Sequence, residues 1–198
     1  MAGLAGKNRM KVAITGTFGT GKTTQLFEIA RDYKMQFPTM SIGLLQEMAR
    51  FCPYPVNENA TFEAQMWIFC TQLKEEIEYS KLYDITICDR TLFDSVAYAM
   101  VNGNKDEAVA MYQLALHYVT SYDSIMFRAI DKSDFLIKDG FRSENQTFRT
   151  AVEDELLRIY EDIRSRYPWF KKIDTEYGFT LNQSSYMQFT SNIVVVQS

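Results

Sequence analysis

An apolar, β-branched run, KVAIT (Lys11–Thr15), leads directly into GTFGTGKT (Gly16–Thr23), and TTQLFEIARDYKMQF follows with apolar residues at Leu26, Ile29, Ala30 and Tyr33. The first run has the character of a buried strand and the last the spacing of an amphipathic helix. A glycine-rich turn between a strand and a helix constrains the chain strongly, because it sets a parallel crossover as the first unit of the fold. GTFGTGKT fits G-x-x-x-x-G-K-[ST], a loop whose main chain cradles phosphate groups. Gly16, Gly19 and Gly21 can take positive φ without a Cβ clash and so turn the backbone N–H groups inward. Those N–H groups and the helix N-terminus form an anion site. Gly16, Thr17, Gly19, Thr20, Gly21, Lys22, Thr23 and Thr24 are therefore the expected nucleotide-phosphate contacts. Lys22 is expected to reach the β- and γ-phosphates of a nucleotide, and Thr23 to hold Mg²⁺ through its hydroxyl.

The remainder alternates strand and helix, which predicts an α/β fold with three layers, a parallel sheet covered by helices on both faces. Strands are expected over 41–45, 84–89 and 124–128. Helices are expected over 61–82, 92–101, 105–119 and 148–166. Asn102-Gly103-Asn104 splits the middle pair. Phe51–Asn59, with two prolines, is expected to form an irregular loop. In helix 61–82 the expected core stripe is Phe62, Met66, Phe69, Leu73 and Ile77, with Trp67 a candidate for a base-binding wall. Residues 129–149 are polar and irregular, and 169–173 and 192–196 are two further candidate strands. The 198 residues suit one domain with a short lid near 130–149. Net charge is −4, which argues against a general nucleic-acid coat but leaves room for a local basic groove. Cys52, Cys70 and Cys88 form no C-x-x-C pair and suit reduced thiols in a cytoplasm. No apolar run is long enough to span a membrane.

A phosphate loop needs an acidic partner at the end of a neighbouring strand. DITICD ends in Asp89, placed where open α/β sheets gather their ligands. Asp89 is thus a candidate Mg²⁺ residue, the alternative being a cap for the following helix. Arg90 is a candidate phosphate or substrate contact, the alternative being a surface ion pair. His117, the only histidine, sits in a helical run and is expected to pack there without a chemical role.

GTFGTGKT together with TICDR resembles the nucleoside and nucleotide monophosphate kinases, thymidylate kinase among them. The motifs EMAR (Glu47–Arg50), DRTLFDSVAY (Asp89–Tyr98) and DGFR (Asp139–Arg142) further resemble the small P-loop kinases related to ribosylnicotinamide kinase, an AAA-type group that includes phage members. Those members read E-x-A-R, D-R-x-x-x-D-x-x-A-Y and D-G-x-R. The likeness covers about residues 11 to 166 and departs after Tyr177, where no arginine closes the pattern.

The resemblance implies a P-loop NTPase fold and an ATP-dependent kinase acting on a hydroxyl of a nucleoside, a nucleotide or a hydroxymethylated pyrimidine, modified DNA included. It implies catalytic roles for Lys22, Glu47, Asp89 and Arg142. Glu47 is the implied base toward the acceptor hydroxyl, with an i,i+3 surface pair to Arg50 as the alternative. Arg50, Arg90, Asp94 and Arg149 are implied substrate contacts, Asp94 also being a rival base. Arg142 is the implied lid arginine, with Lys132, Lys138 and Arg149 in support and Gly140 as a hinge. The competing class is a nucleotide-binding regulatory ATPase without an acceptor. The absence of an N-K-x-D tetrad argues against a guanine-specific switch. Oligomeric state is open, a homodimer included.

Overall fold

The computed structural model describes residues 9–130, 145–167 and 173–174. Among the described residues five parallel strands form one sheet in the order β2-β3-β1-β4-β5, with β1 (Met10–Thr15) at the centre, flanked by β3 (Ile85–Asp89) and β4 (Ser124–Phe127), then β2 (Ile42–Leu45) and β5 (Ile173–Asp174) outside. Strands buried on both faces read as continuous apolar runs. Here the two faces separate cleanly. Val12, Ile14, Ile85 and Ile87 pack with Leu26, Ile29 and Tyr33 of α1 (Lys22–Gln36). Ala13, Leu45, Cys88, Ile125 and Phe127 face the other side. There they meet α2 (Phe62–Leu82), α3 (Leu92–Val101) and α5 (Gln146–Arg166), with α4 (Lys105–Tyr118) packed on α3. The sheet with helices on both faces is the architecture the alternation predicts.

Helix ends follow local chemistry. Thr61 Oγ1 accepts from Ala64 N at the start of α2, and Asn145 Oδ1 from Phe148 N at the start of α5, supplying partners for amides that have none inside the helix. Alpha3 begins with a reciprocal capping box between Thr91 and Asp94. The cap is Thr91, so Asp89 is not used for this purpose.

Three expectations change. The loop over 51–59 contains a short 3₁₀ turn at Asn57–Asn59, pinned by Asn102 Nδ2, which donates to the carbonyls of Asn57 and Ala60. The buried face of α2 is Ala64, Gln65, Ile68, Phe69, Gln72 and Glu76, so of the expected stripe only Phe69 is fully buried and Ile77 is exposed. Polar residues occupy core-facing positions there because they form a network: Lys11 Nζ pairs with Glu76 Oε2 at 3.0 Å, while Gln72 and Tyr122 donate to Glu76 Oε1 at 2.9 Å. Beta5 covers Ile173–Asp174, sharing only Ile173 with the strand expected over 169–173; residues 169–172 and 192–196 lie outside the described residues. Among the described residues no helix is long and apolar enough to cross a membrane. The three cysteines form no disulfide, and His117, expected to pack within its helix, is exposed on α4.

Candidate nucleotide and acceptor site

The loop after β1 takes the conformation its glycines permit. Gly16, Gly19 and Gly21 have φ of 138°, 73° and 77°, and Gly21 is the left-handed residue immediately before α1. Gly16 is further fixed by space, since a Cβ there would stand 2.2 Å from the Arg128 carbonyl oxygen. Thr17 and Thr20 are buried within the loop, whereas Thr24 is exposed on the first turn of α1. Lys22 folds back onto the loop, Nζ donating to Thr17 O at 2.5 Å. Burial lowers its pKa to about 8, and the nearby Arg90 charge lowers it in the same direction. The ammonium is therefore under-solvated, a state that phosphate oxygens would relieve.

Thr23 and Asp89, 66 residues apart in sequence, meet at the C-terminal edge of β3, Thr23 Oγ1 donating to Asp89 Oδ2 at 2.6 Å. The other carboxylate oxygen, Oδ1, is buried without a hydrogen-bond partner among the described residues. Such an oxygen is costly to bury unless a cation or water completes it. No group of three or more His, Cys, Asp or Glu among the described residues forms a protein-only metal cage. Magnesium needs none, because it retains waters and takes one or two carboxylates with phosphate oxygens. Thr23 and Asp89 fit that ion.

Next to the loop lies an open cleft, with Phe18, Val56, Ile68 and Tyr98 among its walls and Glu47, Arg90 and Asp94 at its polar end. Arg90 organises that end from a backbone with φ of 92°, a conformation rare outside glycine and enriched at functional sites. Its Nε donates to Glu47 Oε1 at 2.6 Å, and its Nη1 to Asp94 Oδ1 at 3.0 Å and Gly16 O at 3.1 Å. The guanidinium carbon lies 5.3 Å from the centre of the Tyr98 ring. Burial works against the Glu47 charge, but Arg90 and Lys22 outweigh it and hold its pKa below the ordinary value. Glu47 is thus a carboxylate at neutral pH.

Lys22, Glu47, Asp89, Arg90 and Asp94 therefore converge on one end of the sheet. Other expected residues are placed differently. Asp94 is 2 % exposed and accepts from Thr15 Oγ1, Thr91 N, Thr91 Oγ1 and Arg90 Nη1, a set of donors that leaves it poorly suited to act as a base. Arg50 stands at the rim, Nε 3.4 Å from Glu47 Oε2, which is the i,i+3 pairing named as the alternative. Arg149 does not face the cleft lining. It is 2 % exposed and directs its guanidinium at the phosphate loop's own carbonyls. Arg142, Lys132, Lys138 and Gly140 lie outside the described residues. Gln65, Ile68, Ser95 and Tyr98 line the cleft although sequence reasoning passed them over as site residues, and Trp67 does not line it. Position i,i+3 on α2 joins Gln65 to Ile68, but only a buried glutamine on an apolar face could have signalled it.

The sequence profile of the AAA domain family matches residues 11–174. No protein of curated function matches the sequence significantly. Among solved structures, thymidylate kinase from Ehrlichia chaffeensis aligns with a TM-score of 0.60 at 17% identity, over 92% of this chain and 99% of that one. Deoxyadenosine kinase from M. mycoides with bound dATP gives 0.57 at 18% identity, over 93% and 100%. NadR in complex with NR gives 0.65 at 17% identity, over 96% of this chain but 53% of that chain. At these identities the likeness establishes the fold, that of the nucleoside and nucleotide kinase-like P-loop proteins.

Proposed function

The chain belongs to the AAA domain family, and on that premise we propose that it is an ATP-dependent P-loop kinase. It transfers the γ-phosphoryl of ATP to a hydroxyl of a nucleoside, a nucleotide or a hydroxymethylated pyrimidine, the last free or carried in DNA. The observation that carries this reading is the cleft beside the phosphate loop, with apolar walls and an ionised Glu47 at its polar end. A regulatory ATPase has no need of it. Deoxyadenosine kinase and thymidylate kinase, both similar in fold, support the same direction.

In this mechanism the loop amides and Lys22 hold the β- and γ-phosphates. Thr23 and Asp89 would hold Mg²⁺, which when bound would neutralise charge developing on the phosphate oxygens. Glu47 accepts the acceptor hydroxyl proton, at a late stage suited to a weak base in a loose transition state. Arg90 fixes Glu47 and ties it to the loop through Gly16 O. The whole chain acts as one kinase domain, and Arg142, in the segment before α5, offsets charge on the transferring phosphoryl group. It works in a cytoplasm, that of a bacterial host if phage-encoded.

The test is incubation with γ-labelled ATP and three acceptor sets: free nucleosides, nucleoside monophosphates, and hydroxymethylated DNA. Label on any acceptor supports the kinase and names its class. Steady hydrolysis of ATP with label on none of them favours the regulatory ATPase.

A further inference from the structure

The phosphate loop is held by its carbonyls. Every carbonyl from Gly16 to Thr20 accepts a hydrogen bond from a cationic side chain. Arg90 Nη1 reaches Gly16 O at 3.1 Å, Lys22 Nζ reaches Thr17 O at 2.5 Å, and Arg128 Nε reaches Thr20 O at 2.6 Å. Arg149 takes the middle, Nε to Phe18 O at 3.0 Å and Nη2 to Gly19 O at 3.1 Å. In a trans peptide the C=O of one residue and the N–H of the next point in opposite directions. Arg149 and Arg128 draw the Phe18, Gly19 and Thr20 carbonyls away from the Lys22 side, which aims the amides of residues 19–21 toward it, the arrangement an anion needs. Arg149 is itself fixed in place. Thr17 Oγ1 donates to the Arg149 carbonyl at 3.0 Å, and Phe148 stacks on Phe18 with ring centroids 6.3 Å apart. The first turn of α5 and the loop thus hold each other through both side chain and main chain.

We propose that Arg149 is a positioning residue that presets the phosphate loop, acting through main-chain carbonyls and making no contact with the acceptor. The inference rests on the reading of the loop as a triphosphate site and deepens it by naming the group that shapes it. A guanidinium fork can span adjacent carbonyls, whereas an ammonium is a point donor that satisfies one at a time. The consequence is specific: loss of Arg149 weakens recognition of phosphate and leaves the acceptor side intact.

The experiment compares wild type, Arg149→Met, Arg149→Lys and Lys22→Ala by calorimetric titration with Mg²⁺-ATP and with Mg²⁺-tripolyphosphate, beside thermal unfolding and steady-state kinetics. Arg149→Met should weaken both ligands by a similar factor, about 10- to 100-fold, the ordinary worth of hydrogen bonds to a charged group. Arg149→Lys should recover part of that loss, and KM for the acceptor should stay unchanged in both. A folded Arg149→Met binding both ligands within about twofold of wild type overturns the proposal, because melting alone then changes. Should Arg149→Met fail to fold, Arg149→Lys decides: weakened phosphate binding supports the proposal, and wild-type binding overturns it. If wild type binds neither ligand, or Lys22→Ala binds as wild type does, the triphosphate reading itself falls and takes this inference with it.

Discussion

Replacing Asp89 with asparagine sets the stability of the empty protein against its activity. Burial pushes the Asp89 pKa up, Lys22 pulls it down and Glu47 pushes it up again, with a raised value as the result. An acid with a raised folded pKa holds its proton more tightly in the folded chain than in the unfolded one. Its contribution to stability therefore falls as pH rises from the unfolded pKa through the folded pKa, and the full penalty is present at neutral pH. Asparagine removes the charge and still accepts from the Thr23 hydroxyl. Relieving a buried carboxylate oxygen without a donor is worth about 1–3 kcal/mol, offset by the new amide donors, for a net near 1 kcal/mol. For a chain of this length that raises Tm by about 2–4 °C. Turnover should fall by about 100- to 1,000-fold as the metal loses its carboxylate. With saturating Mg²⁺-ATP the melting order should reverse, since ligand at about 100 times its Kd adds about 2.7 kcal/mol to the wild type alone. Differential scanning fluorimetry at pH 7.5, with and without Mg²⁺-ATP, reads the first and last effects, and labelled-ATP transfer reads the second. An unliganded variant melting below wild type, or turnover with unchanged magnesium dependence, would refute the reasoning.

Glu47→Gln should slow transfer by at least about 100-fold while ATP affinity stays within about threefold; a loss of ATP affinity in calorimetry would put Glu47 on the nucleotide side. Lys22, with its pKa lowered to about 8 by burial and by Arg90, is charged below that pH and neutral above it, and bound phosphate favours the charged form. Affinity for Mg²⁺-ATP should therefore fall above pH 8 and binding there should take up protons, detectable as heats that change with buffer ionisation enthalpy. The unliganded chain should gain stability from Lys22 between pH 8 and its unfolded value of 10.5, because the unfolded state binds more protons in that window. Gly16→Ala would bring a Cβ to 2.2 Å from Arg128 O at φ 138°, so urea unfolding should show a loss of about 2 kcal/mol or more.

Local signals were legible where one segment determines its own shape. The phosphate loop could be read because glycine spacing, the preceding apolar strand and the following helix all agree within a short stretch. Alternation of strand and helix was enough to predict the parallel sheet. The site's long-range chemistry was less visible. Arg90 and Glu47 are 43 residues apart, and their 2.6 Å contact depends on β2 and β3 ending side by side. Arg149 looked like a lid arginine because it lies near Arg142 in sequence, yet α5 starts early enough to turn it into the loop's back wall. The periodicity of α2 misled for a physical reason. Gln65, Gln72 and Glu76 occupy its buried face as members of the cleft and of the Lys11 network, so counting apolar residues placed the stripe elsewhere.

Calorimetric titration of wild type and Lys22→Ala with ATP, in the presence and absence of magnesium, tests the central claim most directly. The account predicts saturable binding below about 1 mM that requires Mg²⁺ and is lost in the variant. Equal heats from both proteins, or none from either at that concentration, would contradict it.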